Sequence, residues 1–375
     1  MRRALLSLIV LAAIAPASAS ADFAPVDKPG PPLSVPQAAL DASMTCTGNV
    51  AGATRAPVLL VPATAVNPHA NYSWNWEPAL SALNIPWCTV ELPGNSMGDI
   101  QVAGEYVVHA IRKMYAVAGR KIAIIGHSQG GMLPRWALRF WPDTRGMVDD
   151  QIGFAGSNHG TVVAAPVCLP GCSPAFQQQR SDSEFTKALN SGQETFPGIS
   201  YTEVYTHTDW VVVPNLDSSG SSSLHGGGGD ISNVAVQDIC PLDLNEHLLL
   251  GTIDPVAYAL AIDALTHPGP ANPSRVAAGV CLQGLMPGVN PLTFATDLAS
   301  AATVLATTIA TYPHVSSEPP LACYVLATGC PGATGSTAGK RVKSCRKAKK
   351  RRGRALTNKR KRCKRKAPKR RKQPL

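Results

Sequence analysis

Lys121-Ile122-Ala123-Ile124-Ile125-Gly126-His127-Ser128-Gln129-Gly130-Gly131 is a short apolar run that breaks into a serine flanked by glycines. The apolar half suits a strand buried on both faces, as in a parallel sheet. Gly126-x-Ser128-x-Gly130 then has the spacing of a nucleophile elbow, a sharp strand-to-helix turn that holds a serine in a strained backbone conformation. Small residues on either side let the chain cross itself. The helix opening beyond them aims backbone N–H groups and the positive end of its dipole at the place where an oxyanion would form. The pentapeptide alone is a weak signal, but its context is the one the chemistry requires: a strand before it and, over residues 132–141, a helix after it. Pro134, in the early turns of that helix, is expected to kink or shorten it.

Outward from this point the pattern repeats. Residues 57–62 form an apolar run bounded by prolines, a second candidate for a buried strand, and residues 87–91 a third. Asp99 and Gly119 bracket apolar residues at helical spacing, from Val102 to Val117, as an N-cap and a C-terminal glycine would. Strand, helix and strand in that order imply a parallel crossover. Further strands are expected at 151–155, 202–206 and 233–237. The alternation predicts an α/β fold, a mostly parallel central sheet with helices on both faces. Residues 166–180 and 218–230 have the composition of loops and are expected to be insertions or mobile segments. Residues 292–310, rich in Ala, Thr and Leu, read as a helix packed on the body, too weakly hydrophobic for a membrane anchor.

A serine hydroxyl is a poor nucleophile at neutral pH and needs a base, itself oriented by a carboxylate; in this fold the order is Ser, Asp or Glu, His. Asp209 has the best setting after Ser128, because it follows a predicted strand and so lies on the sheet edge that carries the elbow. Asp217 fits a turn or cap aspartate better. Of the four later histidines, His225 precedes four glycines, and His267 and His314 lie beside prolines. His247 sits in a loop beyond the last predicted strand and is the best base by position. His127 should point away from the serine and line the pocket. The backbone N–H of Gln129 and of Thr64, in the loop after the early strand, are the expected oxyanion donors, with the Thr64 hydroxyl beside them.

Met44-Thr45-Cys46, Leu59-Leu60-Val61-Pro62-Ala63-Thr64, Ser128-Gln129-Gly130-Gly131, Thr208-Asp209, and Cys240 followed by His247 occur in one order over roughly residues 40–323. Together they resemble the Candida antarctica lipase B-like family. The resemblance implies an α/β-hydrolase fold, carboxylic-ester hydrolysis without cofactor or metal, a lipid or ester substrate, a triad of Ser128, Asp209 and His247, and an oxyanion hole of Thr64 and Gln129. It also implies disulfides Cys46 with Cys88 and Cys240 with Cys281, and a C-terminal bridge, most simply Cys323 with Cys330. Cys168 with Cys172 and Cys345 with Cys363 would be additions. Two departures stand out. Gly126 and His127 replace a threonine and a tryptophan before the serine, and Ala63 and Ala65 replace glycines beside the oxyanion threonine, which is tolerable only if those positions avoid positive φ. The insertion at 166–180 lies where a cap over the site would be.

The termini carry different signals. Arg2 and Arg3 precede an apolar run and two small-residue cleavage patterns, so residues 1–21 are expected to be an export signal and 22–39 an extended lead-in to a catalytic domain at 40–332. Ten cysteines in an exported chain favour disulfides over metal ligands. Of 35 basic residues, 21 fall from Lys340 onward with no acidic partner, which leaves 14 against 24 acidic before that point. Residues 333–375 are therefore expected to be a disordered basic tail that adheres to an anionic cell-surface polymer or membrane. An export signal argues against nucleic acid as the partner, and a secreted monomer is expected. The rival readings are a polyester depolymerase or acyltransferase using the same triad, and a non-catalytic adhesion protein on a hydrolase scaffold.

Overall fold

The computed structural model describes residues 22–330. Seven strands form one sheet: β1 (Met44–Cys46), β2 (Val58–Val61), β3 (Trp87–Val90), β4 (Ile122–His127), β5 (Val148–Phe154), β6 (Ser200–Tyr205) and β7 (Asp230–Ala235). Their spatial order is β1-β3-β2-β4-β5-β6-β7. Only β1 is antiparallel to its neighbour; every other pairing is parallel. The sheet is the α/β-hydrolase architecture, with apolar layers on both faces.

Alternation along the central strands explains the two layers. Leu59, Val61, Ile122 and Ile124 face a core shared with the helices Ile100–Ala118 and Gln129–Phe140, while Val58, Leu60, Ala123 and Ile125 face one built with Trp76, Leu80 and the helix Pro255–Thr266. Both faces are covered, so the strands carry apolar residues at every position. Asp99 caps the helix Ile100–Ala118 by accepting from Gln101 N at 2.9 Å, and Gly119 ends it at φ 65°. Cys46 and Cys88, opposite one another in the β1–β3 register, are joined by a disulfide, and Cys168–Cys172, Cys240–Cys281 and Cys323–Cys330 are also bridged. Cys345, Cys363, the export signal and the basic tail lie outside the described residues.

Several expectations are corrected. The helix around Pro134 begins at Gln129 and runs unshortened to Phe140. The N–H that proline lacks would have bonded to Gly130 O, which is instead packed against Gly126. Ahead of the helix Gln37–Ala42 the Glu105 carboxylate accepts from Ser34 Oγ at 2.6 Å and from Val35 N at 2.9 Å. The last strand comes earlier than 233–237, since residues Val236–Ile239 are already helical. Residues 221–224 are buried rather than mobile: Asn158 Nδ2 donates to Ser222 O at 2.8 Å and Asn215 Nδ2 to Ser222 Oγ at 2.8 Å. Serine side chains that find partners behave as core, which loop-like composition hides. Residues 166–180 include the helix Pro174–Gln178, whose Gln178 Oε1 accepts from Ile100 N at 2.7 Å, and so are built into the body.

Candidate active site

Ser128 follows β4 directly and precedes the first residue of the helix Gln129–Phe140, at φ 55° and ψ −120°. The elbow closes because its glycines are bare. A Cβ on Gly126 would collide with Gly130 O, and one on Gly130 with Val61 O. Gly131 lies close to Gly153 and Gly156, so the helix presses directly onto β5. Ser128 N donates to Phe154 O at 2.8 Å, which anchors a conformation that costs on the order of 1–3 kcal/mol.

Asp209 and His247 arrive on two loops at the same sheet edge. Asp209 stands four residues beyond β6, and its Oδ1 accepts from Val211 N at 2.9 Å and Val212 N at 2.8 Å. Its Oδ2 is 2.9 Å from His247 Nδ1, and His247 Nε2 is 3.0 Å from Ser128 Oγ. Because an ionised carboxylate only accepts, Nδ1 carries the imidazole proton and the Nε2 lone pair faces the hydroxyl. Burial raises the Asp209 pKa, but the His247 imidazole and the two backbone N–H groups outweigh it and hold the carboxyl below its ordinary value. His225 lies instead against His159, with ring centroids 5.4 Å apart, and His267 contacts Asp263, so neither joins this cluster.

Two contacts stitch the loop of Asp209 to the loop of His247. Thr208 Oγ1 donates to Asn245 O at 3.1 Å, and Trp210 Nε1 to Glu246 Oε2 at 2.8 Å. The same Glu246 oxygen accepts from Leu248 N, capping the short helix His247–Leu250. Sequence reading missed these four residues, because their roles depend on loops that meet only in three dimensions.

Thr64 and Gln129 come together as expected, but the Thr64 hydroxyl is engaged. It donates to Gln129 Oε1 at 2.9 Å and accepts from Gln179 Nε2 at 3.0 Å. Gln179 Oε1 in turn accepts from Ser157 Oγ at 2.9 Å. Gln129 is the first helical residue, and its N–H is among those a helix leaves without an intrahelical partner. Ala65 does adopt a left-handed backbone, at φ 65°, contrary to the condition set on it. The strain, about 1–2 kcal/mol for an L-residue, is held by full burial and by Ala63 N donating to Asn71 Oδ1 at 2.8 Å.

Next to Thr64 and His127, a pocket of about 70 Å³ has an apolar wall of Ala63, Val66, Trp74, Leu298, Ala301 and Leu305. Its cover is the helix Phe294–Thr311, which has no buried residue of its own and lays Ala301, Val304 and Leu305 over Ala63, Val66 and Ala70. The covering element is thus this helix and not 166–180, whose contribution is Gln179. On β6, Glu203 is fully buried against Gly153 and Gly156, with the Asn158 amide as a polar neighbour. Burial, partly offset by Arg135, pushes its pKa up to about 8.

Three comparisons bear on this site. A family model described as lipase, class 2, matches residues 105–238, a span that includes Ser128 and Asp209. Lipase B of Pseudozyma antarctica is 34% identical over 220 residues, 58% of this chain and 64% of that protein, so the match spans somewhat less than two thirds of the relative's length. The crystal structure of Aspergillus fumigatus lipase B superposes with a TM-score of 0.73 at 30% identity, covering 80% of this chain and 74% of the other.

Proposed function

The chain belongs to the Candida antarctica lipase B-like family of α/β-hydrolases, and from that premise we propose that it hydrolyses carboxylic esters with Ser128 as nucleophile. The observation that carries the reading is the unbroken line of hydrogen-bond distances from Asp209 through His247 to Ser128. Ser128 Oγ attacks the ester carbonyl as its proton passes to His247 Nε2. The carbonyl electrons move onto oxygen, facing the N–H groups of Gln129 and Thr64, and Asp209 stabilises the imidazolium. Collapse expels the alcohol, which takes the proton from His247 and leaves Ser128 acylated. A water then gives a proton to His247 as it attacks the acyl carbon, and collapse releases the carboxylic acid while His247 returns the proton to Ser128 Oγ. A general base of this kind contributes about 10²–10⁴-fold and each oxyanion donor about 10²–10³-fold.

The apolar pocket and its helical cover favour esters with a hydrocarbon substituent, acylglycerols among them. Residues 1–21 are read as an export signal and the segment from Lys340 as an adhesive for anionic surfaces. Hydrolysis of p-nitrophenyl esters of increasing chain length is the test. The unsubstituted protein should turn them over, and Ser128→Ala should lose on the order of 10⁴–10⁶ in kcat with its thermal unfolding preserved. Activity retained by the folded variant would overturn the assignment.

A further inference from the structure

We propose that His127, the residue before the nucleophile, is a positioning residue that clamps the loop of the general base to the elbow. The inference rests on the reading of His247 as that base. The helix His247–Leu250 is four residues long, too short to be stable alone, so its place must be imposed by neighbours. At its far end Gly251 O accepts from Trp76 Nε1 at 3.0 Å. At its near end His247 O lies 2.9 Å from His127 Nε2. A carbonyl only accepts, so Nε2 carries the proton and Nδ1 keeps its lone pair. That lone pair faces Asn71 Nδ2 at 3.5 Å, a longer and weaker contact, and Asn71 Oδ1 holds Ala63 N in the oxyanion loop. His127 thereby joins the loop of the base to the loop of the oxyanion donor, from a position one residue from the nucleophile.

The fit is close on all sides. The ring is buried, its centroid is 5.3 Å from that of His247, and a Cβ on Gly251 would overlap it. Burial, and then the neighbouring His247, push the His127 pKa down to about 3, so the ring stays neutral and Nδ1 keeps the lone pair that faces Asn71. Both ring nitrogens are directed away from Ser128, which excludes a second base. Loss of the clamp should disturb the aim of Nε2 at the hydroxyl, an effect on kcat, more than the binding of a small ester.

The test compares His127→Phe, His127→Asn and His127→Gln with p-nitrophenyl acetate. The phenyl ring keeps the shape without the donor. The glutamine amide can place an N–H near Nε2, and the asparagine amide is too short to do so, which keeps the test informative should His127→Phe not fold. We expect kcat to fall about tenfold or more in Phe and Asn and to stay within about threefold in Gln, with KM within about twofold throughout. Equal kcat in all three, or losses that follow the unfolding temperature instead of the donor, would overturn the clamp. If Ser128→Ala abolishes turnover while the His127 series is flat, only this inference falls. If the unsubstituted protein itself has no esterase activity, the triad reading falls and carries this one with it.

Discussion

Asp209 and Glu203 are buried carboxyls on or just beyond the same strand, and their surroundings drive them apart. Asp209 accepts four hydrogen bonds and is held ionised; Glu203 is fully buried, with Arg135 and Asn158 offsetting that burial only in part, and is pushed toward the protonated form, at about 8. A carboxyl whose folded-state pKa is raised contributes its full stability below the ordinary value near 4.3, and that contribution is lost as pH climbs toward the folded value. The native state should therefore weaken between roughly pH 4.5 and 8 by up to a few kcal/mol through this group alone. Glu203→Gln should unfold several degrees higher than the parent at pH 8 and within a degree or two of it at pH 4.5, as read by calorimetry. An unchanged difference across that range would show that the parent carboxyl is not destabilising. At this scale the sequence singles out Ser128, Asp209 and His247, which lie within hydrogen-bond distance of one another in a chain, because their order and their places after strands follow from the proposed chemistry. It conceals Glu203 and the His127 clamp, since one residue's partners are fixed by tertiary contacts that no spacing encodes.

The elements divide in the same manner. Buried strands such as Val58–Val61 and Ile122–His127 announce themselves as unbroken apolar runs, and the caps Asp99 and Gly119 mark a helix to within two residues. The helix Phe294–Thr311 is recognisable as a helix, but its Ala and Thr residues give no sign that it lies across the pocket. Its inner residues nevertheless line the pocket next to Thr64 and His127. Ala301→Phe should fill the pocket and lower kcat/KM for octanoate esters by about tenfold relative to acetate esters, following the few kcal/mol that overpacking costs. A chain-length profile unchanged by the substitution would remove this helix from substrate selection. Gln179 was hidden for a related reason: it lies in a segment with loop-like composition, and its bond to Thr64 spans 115 residues.

Across the whole molecule, charge is segregated. Up to residue 339 there are 14 basic and 24 acidic residues, whereas the segment from Lys340 holds 21 basic and no acidic ones. An acidic body is repelled by anionic surfaces, and a basic segment would offset that repulsion by its own attraction over a Debye length of about 8–10 Å at physiological salt. Removing residues 333–375 should abolish salt-sensitive retention on an anionic matrix and leave hydrolysis of a soluble ester within about twofold. Equal retention of both forms would show that the segment does not adhere. The central claim is that the three side chains meeting at the sheet edge form one reactive serine, and intact-mass analysis after fluorophosphonate treatment tests it most directly. A single adduct should map to Ser128, be absent from Ser128→Ala and form far more slowly in His247→Ala. No adduct on the folded parent, or an adduct on another residue that survives in Ser128→Ala, would contradict it.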